Sequence, residues 1–354
     1  MTMPLPNNFL NSPAFKLILL TGMVLQNSAT VLVGRYTRSS VPADQLYVVN
    51  HLILITEIGK LLFSCVFEHF TTNGQLWESI QANIIQQPYD ALKILVPALL
   101  YLVQNSLLYT ALSNLTAPIF QVTYQAKLVT TAIVSVMMLN RKYSFQQWIC
   151  LVVLSLGVAI VVLGESGNET KSTPSGEQSL TVGLSAVTVA CLSSALAGVY
   201  FEKVVKTVAV GDKSGKPVSV WMRNVQLAFF TIWTALIQGW WSAKPDETGA
   251  HQPYLHGFTG WVWVLVLLQA GGGLLVAAVI KYADNVLKGL ATGVSVCFAT
   301  GVSTILFGTP IGAQFSIGAT MILTSVYFFS NPIKSVPQMS PLKDEEDMKP
   351  ILPK

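Results

Sequence analysis

Charge is what this chain has least of. Asp, Glu, Lys and Arg make up 11% of its 354 residues, against about 25% in soluble domains, which need charge to coat a surface in water. The rest is 52% hydrophobic, and the mean hydropathy is +0.54. That balance excludes an ordinary soluble enzyme and points to a bilayer as solvent, where apolar surface need not be hidden and charge is costly. Cysteine is scarce too. Cys65, Cys150, Cys191 and Cys297 each fall in or beside a long apolar run, so no disulfide framework is implied and they read as small buried hydrophobes. His51, His69, His251 and His256 lack metal-ligand spacing, so no metal site is expected. Period-two alternation is missing, which argues against an outer-membrane barrel. There is also no charged leader or small-residue cleavage site. Lys16 is the only charge at the start of the first apolar run, which we expect to be retained as a helix.

Catalytic signatures are missing as well. The chain has no Walker-type phosphate loop, nucleophile elbow, HExxH or supported carboxylate pair. It should therefore be neither an enzyme nor ATP-driven, and it should need no cofactor. No cluster of carboxylates suggests a cation-coupled pump.

What is present is a series of ten apolar runs near the ~20 residues that cross a bilayer. The first five are Phe15–Val33, Tyr47–Phe67, Leu92–Leu112, Ile119–Met138 and Trp148–Leu163. The second five are Val182–Val204, Val220–Trp240, Trp261–Val279, Val286–Leu306 and Ile311–Phe329. The fold class is an all-α polytopic membrane protein of ten transmembrane helices. With the N-terminus in the cytosol, fifteen of the 21 basic residues fall on the cytosolic side. Only Arg35, Arg38, Lys171 and Lys244 fall opposite, with Lys60 and Lys127 inside spans. This asymmetry places both termini in the cytosol. The sequon Asn168-Glu-Thr170 would then be lumenal. Asn114-Leu-Thr116 would also be lumenal, but too near the membrane for modification. Residues 331–354, with the run Asp344-Glu-Glu-Asp347, read as a disordered cytosolic tail.

Matching positions of the two halves look alike. The first run ends Ala29-Thr-Val-Leu-Val-Gly-Arg-Tyr-Thr-Arg38 and the sixth ends Ala195-Leu-Ala-Gly-Val-Tyr-Phe-Glu-Lys203. Each places Gly, Tyr and a basic residue where a helix leaves the membrane. The fourth and ninth both open on a lysine, Lys127 and Lys288. Five helices per half is an odd number, so halves of about 14–164 and 180–330 would insert with opposite orientation. Together they would form one domain, 1–330, with a site near the midplane. The glycines Gly289 and Gly293, and Gly308 and Gly312, have the spacing for close helix packing. The run Gly271-Gly-Gly273 suits a bend or a close approach.

Intramembrane polar residues mark the candidate site, because a lysine at the bilayer centre costs about 2.5–3.5 kcal/mol. Glu57 and Lys60 share one helical face and can pair, either for structural neutralisation or in a substrate or coupling role. Lys127 has no local acid and is the stronger functional candidate. Tyr101, Gln104, Asn105 and Lys127 could line one aqueous cavity. Lysines offer charge to phosphate, amides read base or ribose edges, and tyrosines offer stacking faces.

At these residues the chain resembles the Golgi nucleotide-sugar transporters, the group of CMP-sialic acid, UDP-galactose and UDP-N-acetylglucosamine carriers. The matching segments are Ala111-Leu-Ser-Asn-Leu115, Gln121-Val-Thr-Tyr-Gln125 with Lys127, Ala197-Gly-Val-Tyr-Phe-Glu-Lys203, Trp221 with Arg223-Asn224, and Lys281-Tyr-Ala-Asp-Asn285 with Lys288-Gly289. The chain departs from the pattern at Ser106 and Ala126, and neither change removes a charge. The resemblance implies a drug/metabolite-transporter fold in the Golgi membrane, with a cytosolic nucleotide sugar exchanged for a lumenal nucleoside monophosphate. It implies that Tyr101, Gln104, Asn105, Ser194, Asn224 and Lys281 contact the nucleotide, with Tyr124 and Lys127 near phosphate or sugar. The partners would be substrate and lipid, with no nucleic acid; a homodimer is one oligomeric option. Ala228 and Phe230 resemble the UDP-sugar branch, so UDP-galactose is expected ahead of UDP-N-acetylglucosamine and CMP-sialic acid. From another class, a channel or non-transporting receptor stays open on the residues alone.

Overall fold

The computed structural model describes residues 12–39, 41–42, 45–166, 179–207, 218–242, 255–307 and 312–331. The expected tail, the sequon at Asn168, and Gly308 lie outside them. The described residues form helices and short connections, with no strand among them. We number the ten long helical segments in chain order. They are α1 Pro13–Ser39, α2 Val49–Thr71, α3 Leu95–Asn114, α4 in two pieces (Ala117–Tyr124 and Ala126–Leu139), and α5 Phe145–Ser166. The second set is α6 Leu180–Lys206, α7 Val220–Ser242, α8 Gly260–Tyr282, α9 Asn285–Phe307 and α10 Ala313–Ser330. Short turns at Leu76–Ile80, Gln81–Ile85 and Pro88–Leu92 bridge α2 to α3.

All ten expected runs are helical, and nine of the described helices are long and apolar enough to cross a bilayer. The tenth, α7, has the length, at 23 residues, but Arg223, Asn224 and Gln226 near its start reduce its mean hydropathy. These three are buried against neighbouring protein, so they need not meet lipid. The outward surface is apolar: Ile305, Phe145 and Met137 are 83%, 81% and 75% exposed, which suits a lipid environment and not water.

Three helix ends are satisfied locally. Ser179 Oγ accepts from Val182 N to cap α6. Asp284 Oδ1 accepts from Leu287 N at 2.7 Å to cap α9, where a negative charge also suits the helix dipole. Asn140, at φ 51°, ends α4 in the left-handed conformation that Asn tolerates. The run expected at Ile119–Met138 is a candidate span at Ile119–Leu139, and within it α4 is interrupted at Gln125. There Gln125 N bonds Val122 O and Leu128 N bonds Gln125 O, both at 3.2 Å. These tighter three-residue bonds form a step between the two pieces.

The packing pairs form a matched set. α5 packs on α10 and α2 on α7, each helix meeting its counterpart five positions along. α3 packs on α6 as α8 does on α1, α4 on α6 as α9 on α1, and α3 on α7 as α8 on α2. α5 and α10 touch backbone to backbone. A Cβ at Gly318 would stand 2.7 Å from Gly157 O, and one at Gly157 would stand 3.0 Å from Gly318 O. The α8 glycines are used unequally: Gly272 receives Gln26 and Gly273 receives the stem of Lys60, while Gly271 faces open space. α8 runs on through all three as one helix. Gly289 and Gly293 receive Leu128 and Leu154, so that pair serves packing. All four cysteines are free.

Candidate substrate site

A cavity of about 200 Å³ lies between α2, α3 and α7, lined by Glu57, Lys60, Tyr101, Asn105, Thr231 and Gln238 among others. Glu57 and Lys60 pair at 2.7 Å, as their spacing implied. The Thr231 hydroxyl donates to the same carboxylate oxygen at 2.5 Å. Both ends of the ion pair therefore face a polar space inside the bundle, where attraction is stronger than in water. The cavity departs from the expected one: it takes in Tyr101 and Asn105, while Gln104 and Lys127 are absent from its wall. On α3, Gln104 is turned to another face, toward α4.

That second face holds a group centred on Tyr124. Gln104 Nε2 donates to the Tyr124 hydroxyl at 3.4 Å. Lys127 Nζ donates to it at 3.3 Å and stands 5.1 Å from the centre of its ring. The step at Gln125 places Tyr124 and Lys127 on either side of the helix interruption. Tyr101 lies within electrostatic reach of Tyr124, which connects this group with the cavity. Gln104 Oε1 is buried without a hydrogen-bond partner. A buried acceptor left unpaired costs about 1–3 kcal/mol, so it is a place for a ligand donor.

Lys288, at the start of α9, lies within electrostatic reach of Lys127. Among the described residues neither lysine is in an ion pair with a carboxylate. Two cations sharing a low-dielectric interior repel one another. An anion between them would relieve that cost. Lys288 is the residue that sequence reasoning left off the site. Its signals were the matching position of the two lysines in α4 and α9 and its place in the Lys288-Gly289 segment that carries the family resemblance.

The remaining expected residues are dispersed. Ser194 is buried one turn along α6 from Cys191, whose sulfur donates to Tyr124 O at 3.7 Å. Asn224 is buried two turns from Thr231 on α7, and its Nδ2 donates to Val220 O of its own helix. Lys281 sits within reach of Glu68, and its Nζ is 5.5 Å from the Tyr282 ring centre. Glu68 itself accepts from the Ser79 and Ser219 hydroxyls, each at 2.5 Å. Lys281 thus sits with another cluster and is not among the residues that line the cavity.

The chain matches the nucleotide-sugar transporter family over residues 11–330. It is 38% identical over 340 residues to a UDP-N-acetylglucosamine/UDP-N-acetylgalactosamine transporter of Caenorhabditis elegans, covering 92% of this chain and 96% of that one. It is 41% identical over 320 residues to the UDP-galactose translocator of Bos taurus, covering 90% and 78%. It is 36% identical over 312 residues to a UDP-N-acetylglucosamine transporter of Rattus norvegicus, covering 87% and 92%. A solved crystal structure superposes with a TM-score of 0.61 at 13% identity, covering 90% of this chain and 97% of that one; this likeness concerns the fold.

Proposed function

This chain belongs to the nucleotide-sugar transporter family, and from that premise we propose that it exchanges a cytosolic UDP-sugar, UDP-galactose first, for lumenal UMP across the Golgi membrane. It acts as a carrier and not as an enzyme. The observation that carries this reading is the Lys127–Lys288 pair, two partly buried lysines within electrostatic reach of one another and, among the described residues, in no carboxylate ion pair. Phosphate is the group common to a UDP-sugar and to UMP, and it would be held at the same place in both directions of exchange. We place the rest of the nucleotide against Tyr101, Gln104, Asn105, Tyr124, Ser194 and Asn224. The Gln104 acceptor is free for a donor on the base or ribose. Lys281 is assigned to the site by resemblance alone.

Mechanistically, the matched packing pairs fit two inverted halves that rock about a central site. α7 then counts as the tenth span, and both termini lie in the cytosol. In the empty carrier the two lysines repel one another with only Glu202 within electrostatic reach of Lys288 to offset it, and a bound anion offsets that repulsion in every reorientation. Such a carrier favours exchange over one-way transport. The relatives named for UDP-N-acetylglucosamine favour a second reading of the sugar, with the same nucleotide and the same exchange.

Thermal melting of the purified protein with nucleoside and nucleotide tests the anion site. UMP should raise the melting temperature well above any shift with uridine, and CMP should do so less than UMP. Equal shifts with UMP and uridine would remove the phosphate from the lysine pair.

A further inference from the structure

A second charged cluster lies where α4, α6 and α8 end and α9 begins, all at one end of the bundle. Arg141, just past the end of α4, reaches Glu202 of α6 at 2.5 Å and Asp284 before α9 at 2.8 Å. Lys206 pairs with Glu202 at 2.8 Å and donates to Ala283 O at 2.7 Å. Glu202 is fully buried, and its second oxygen accepts from Asn285 N at 3.0 Å. Burial opposes the charge of Arg141, but Asp284 and Glu202 more than offset this and hold its proton more firmly than usual. Arg141 comes from the first half of the chain, and both its carboxylate partners come from the second. The halves cannot part at this end while Arg141 keeps those partners.

The same carboxylate is tied to the helix that carries Lys288, through its bond from Asn285 N at the start of α9. Glu202 lies within electrostatic reach of Lys288, which stands one turn into α9 from Asn285, the residue whose amide Glu202 accepts. Lys127 and Lys288 likewise come from opposite halves. The contact that closes this end and the pair that would hold phosphate therefore span the same boundary.

We propose that Glu202 is a positioning residue that ties the closed contact of Arg141 to occupancy of the Lys127–Lys288 pair. With the pair empty, Lys288 draws Glu202 and helps fix it where Arg141 and Lys206 meet it. An anion seated between the lysines takes up the charge of Lys288 and adds negative charge beside Glu202, so the carboxylate loses its hold and the α4, α6 and α8 ends are released. The carrier opens at this end when loaded and stays shut when empty. This rests on the exchange reading above and supplies a means for it.

The test uses the full-length protein in liposomes, comparing Glu202→Gln and Arg141→Gln with wild type. Glutamine keeps an acceptor for the Asn285 amide while removing the charge. UDP-sugar uptake is measured into vesicles loaded with UMP and into empty ones. Wild type should favour loaded vesicles about tenfold or more. Both variants should reduce that preference several-fold by raising uptake into empty vesicles, while UMP affinity does not fall. An unchanged preference in folded variants overturns the role of Glu202 and leaves exchange standing. A wild type indifferent to loading removes exchange, and the latch with it. Hydrogen exchange on wild type covers the case of variants that do not fold. UMP should speed exchange in a peptide spanning 283–288, where the Asn285 amide reports on Glu202. Slower or unaltered exchange there also overturns the proposal.

Discussion

Asn285 lays its side-chain amide over Gly198, filling the space a β-carbon would occupy. A methyl at 198 would stand 2.5 Å from Nδ2 and 2.9 Å from Oδ1. Two of the segments that carry the family resemblance, one on α6 and one entering α9, are therefore one packed unit. Asn285 is 3% exposed and its backbone N–H is fixed to Glu202, so it has little room to yield. Replacing Gly198 with Ala should cost about 1–3 kcal/mol, the usual cost of overpacking. The gain in helix propensity from losing a glycine, up to ~1 kcal/mol, only partly offsets this. A thermal melt in detergent checks it: a fall in melting temperature is expected, and an unchanged or raised one would show that the contact is loose.

Arg223 and Asp90 form the most deeply buried ion pair among the described residues, at 2.6 Å with side chains 1% and 7% exposed. Gln226 also accepts from Arg223 at 3.0 Å, and passes a bond on to Asn83 O. Removing one partner of such a pair costs about 3–5 kcal/mol, because the other is left charged and dry. Arg223→Leu should fall at the lower end, since Lys93 still reaches Asp90 at 2.8 Å. The double variant with Asp90→Asn should recover part of the loss. Melting of the two singles and the double gives the cycle. A double variant as unstable as the sum of the singles would show that the two residues act independently.

Lys288→Ala separates function from stability. Losing a charged hydrogen bond to phosphate, worth about 1.5–3 kcal/mol, should reduce UMP affinity roughly tenfold to a hundredfold. Relief of repulsion on Lys127 should leave the empty protein at least as stable as wild type. Lys127→Ala should likewise abolish most transport in a folded protein. Titration calorimetry with UMP alongside melting reads both quantities. Full affinity in Lys288→Ala would place the phosphate elsewhere.

The helices were legible in the sequence because a bilayer demands long apolar runs, and all ten appeared where those runs lie. The Glu57–Lys60 pair was legible too, being three residues apart on one helix. The interruption at Gln125 was not: Gln121 to Lys127 lies within a run apolar enough to pass as one helix, and the step depends on backbone bonds that no side chain signals. Contacts across the chain were hidden for a plainer reason. Arg141 meets Glu202 and Asp284, and Asp90 meets Arg223, across long stretches of sequence. Thr231 donates to Glu57 from a helix in which a threonine is unremarkable. Gln104 and Asn105 are adjacent, yet they turn to different faces of α3, so composition alone merged two neighbouring sites into one cavity.

The central claim is exchange of a UDP-sugar for UMP, and uptake by purified protein in liposomes tests it most directly. Labelled UDP-galactose, UDP-N-acetylglucosamine and CMP-sialic acid are each offered to vesicles loaded with UMP, CMP or nothing. The account predicts uptake of a UDP-sugar, UDP-galactose foremost, stimulated by internal UMP and little by CMP. CMP-stimulated uptake of CMP-sialic acid, or uptake indifferent to the internal nucleotide, would contradict it.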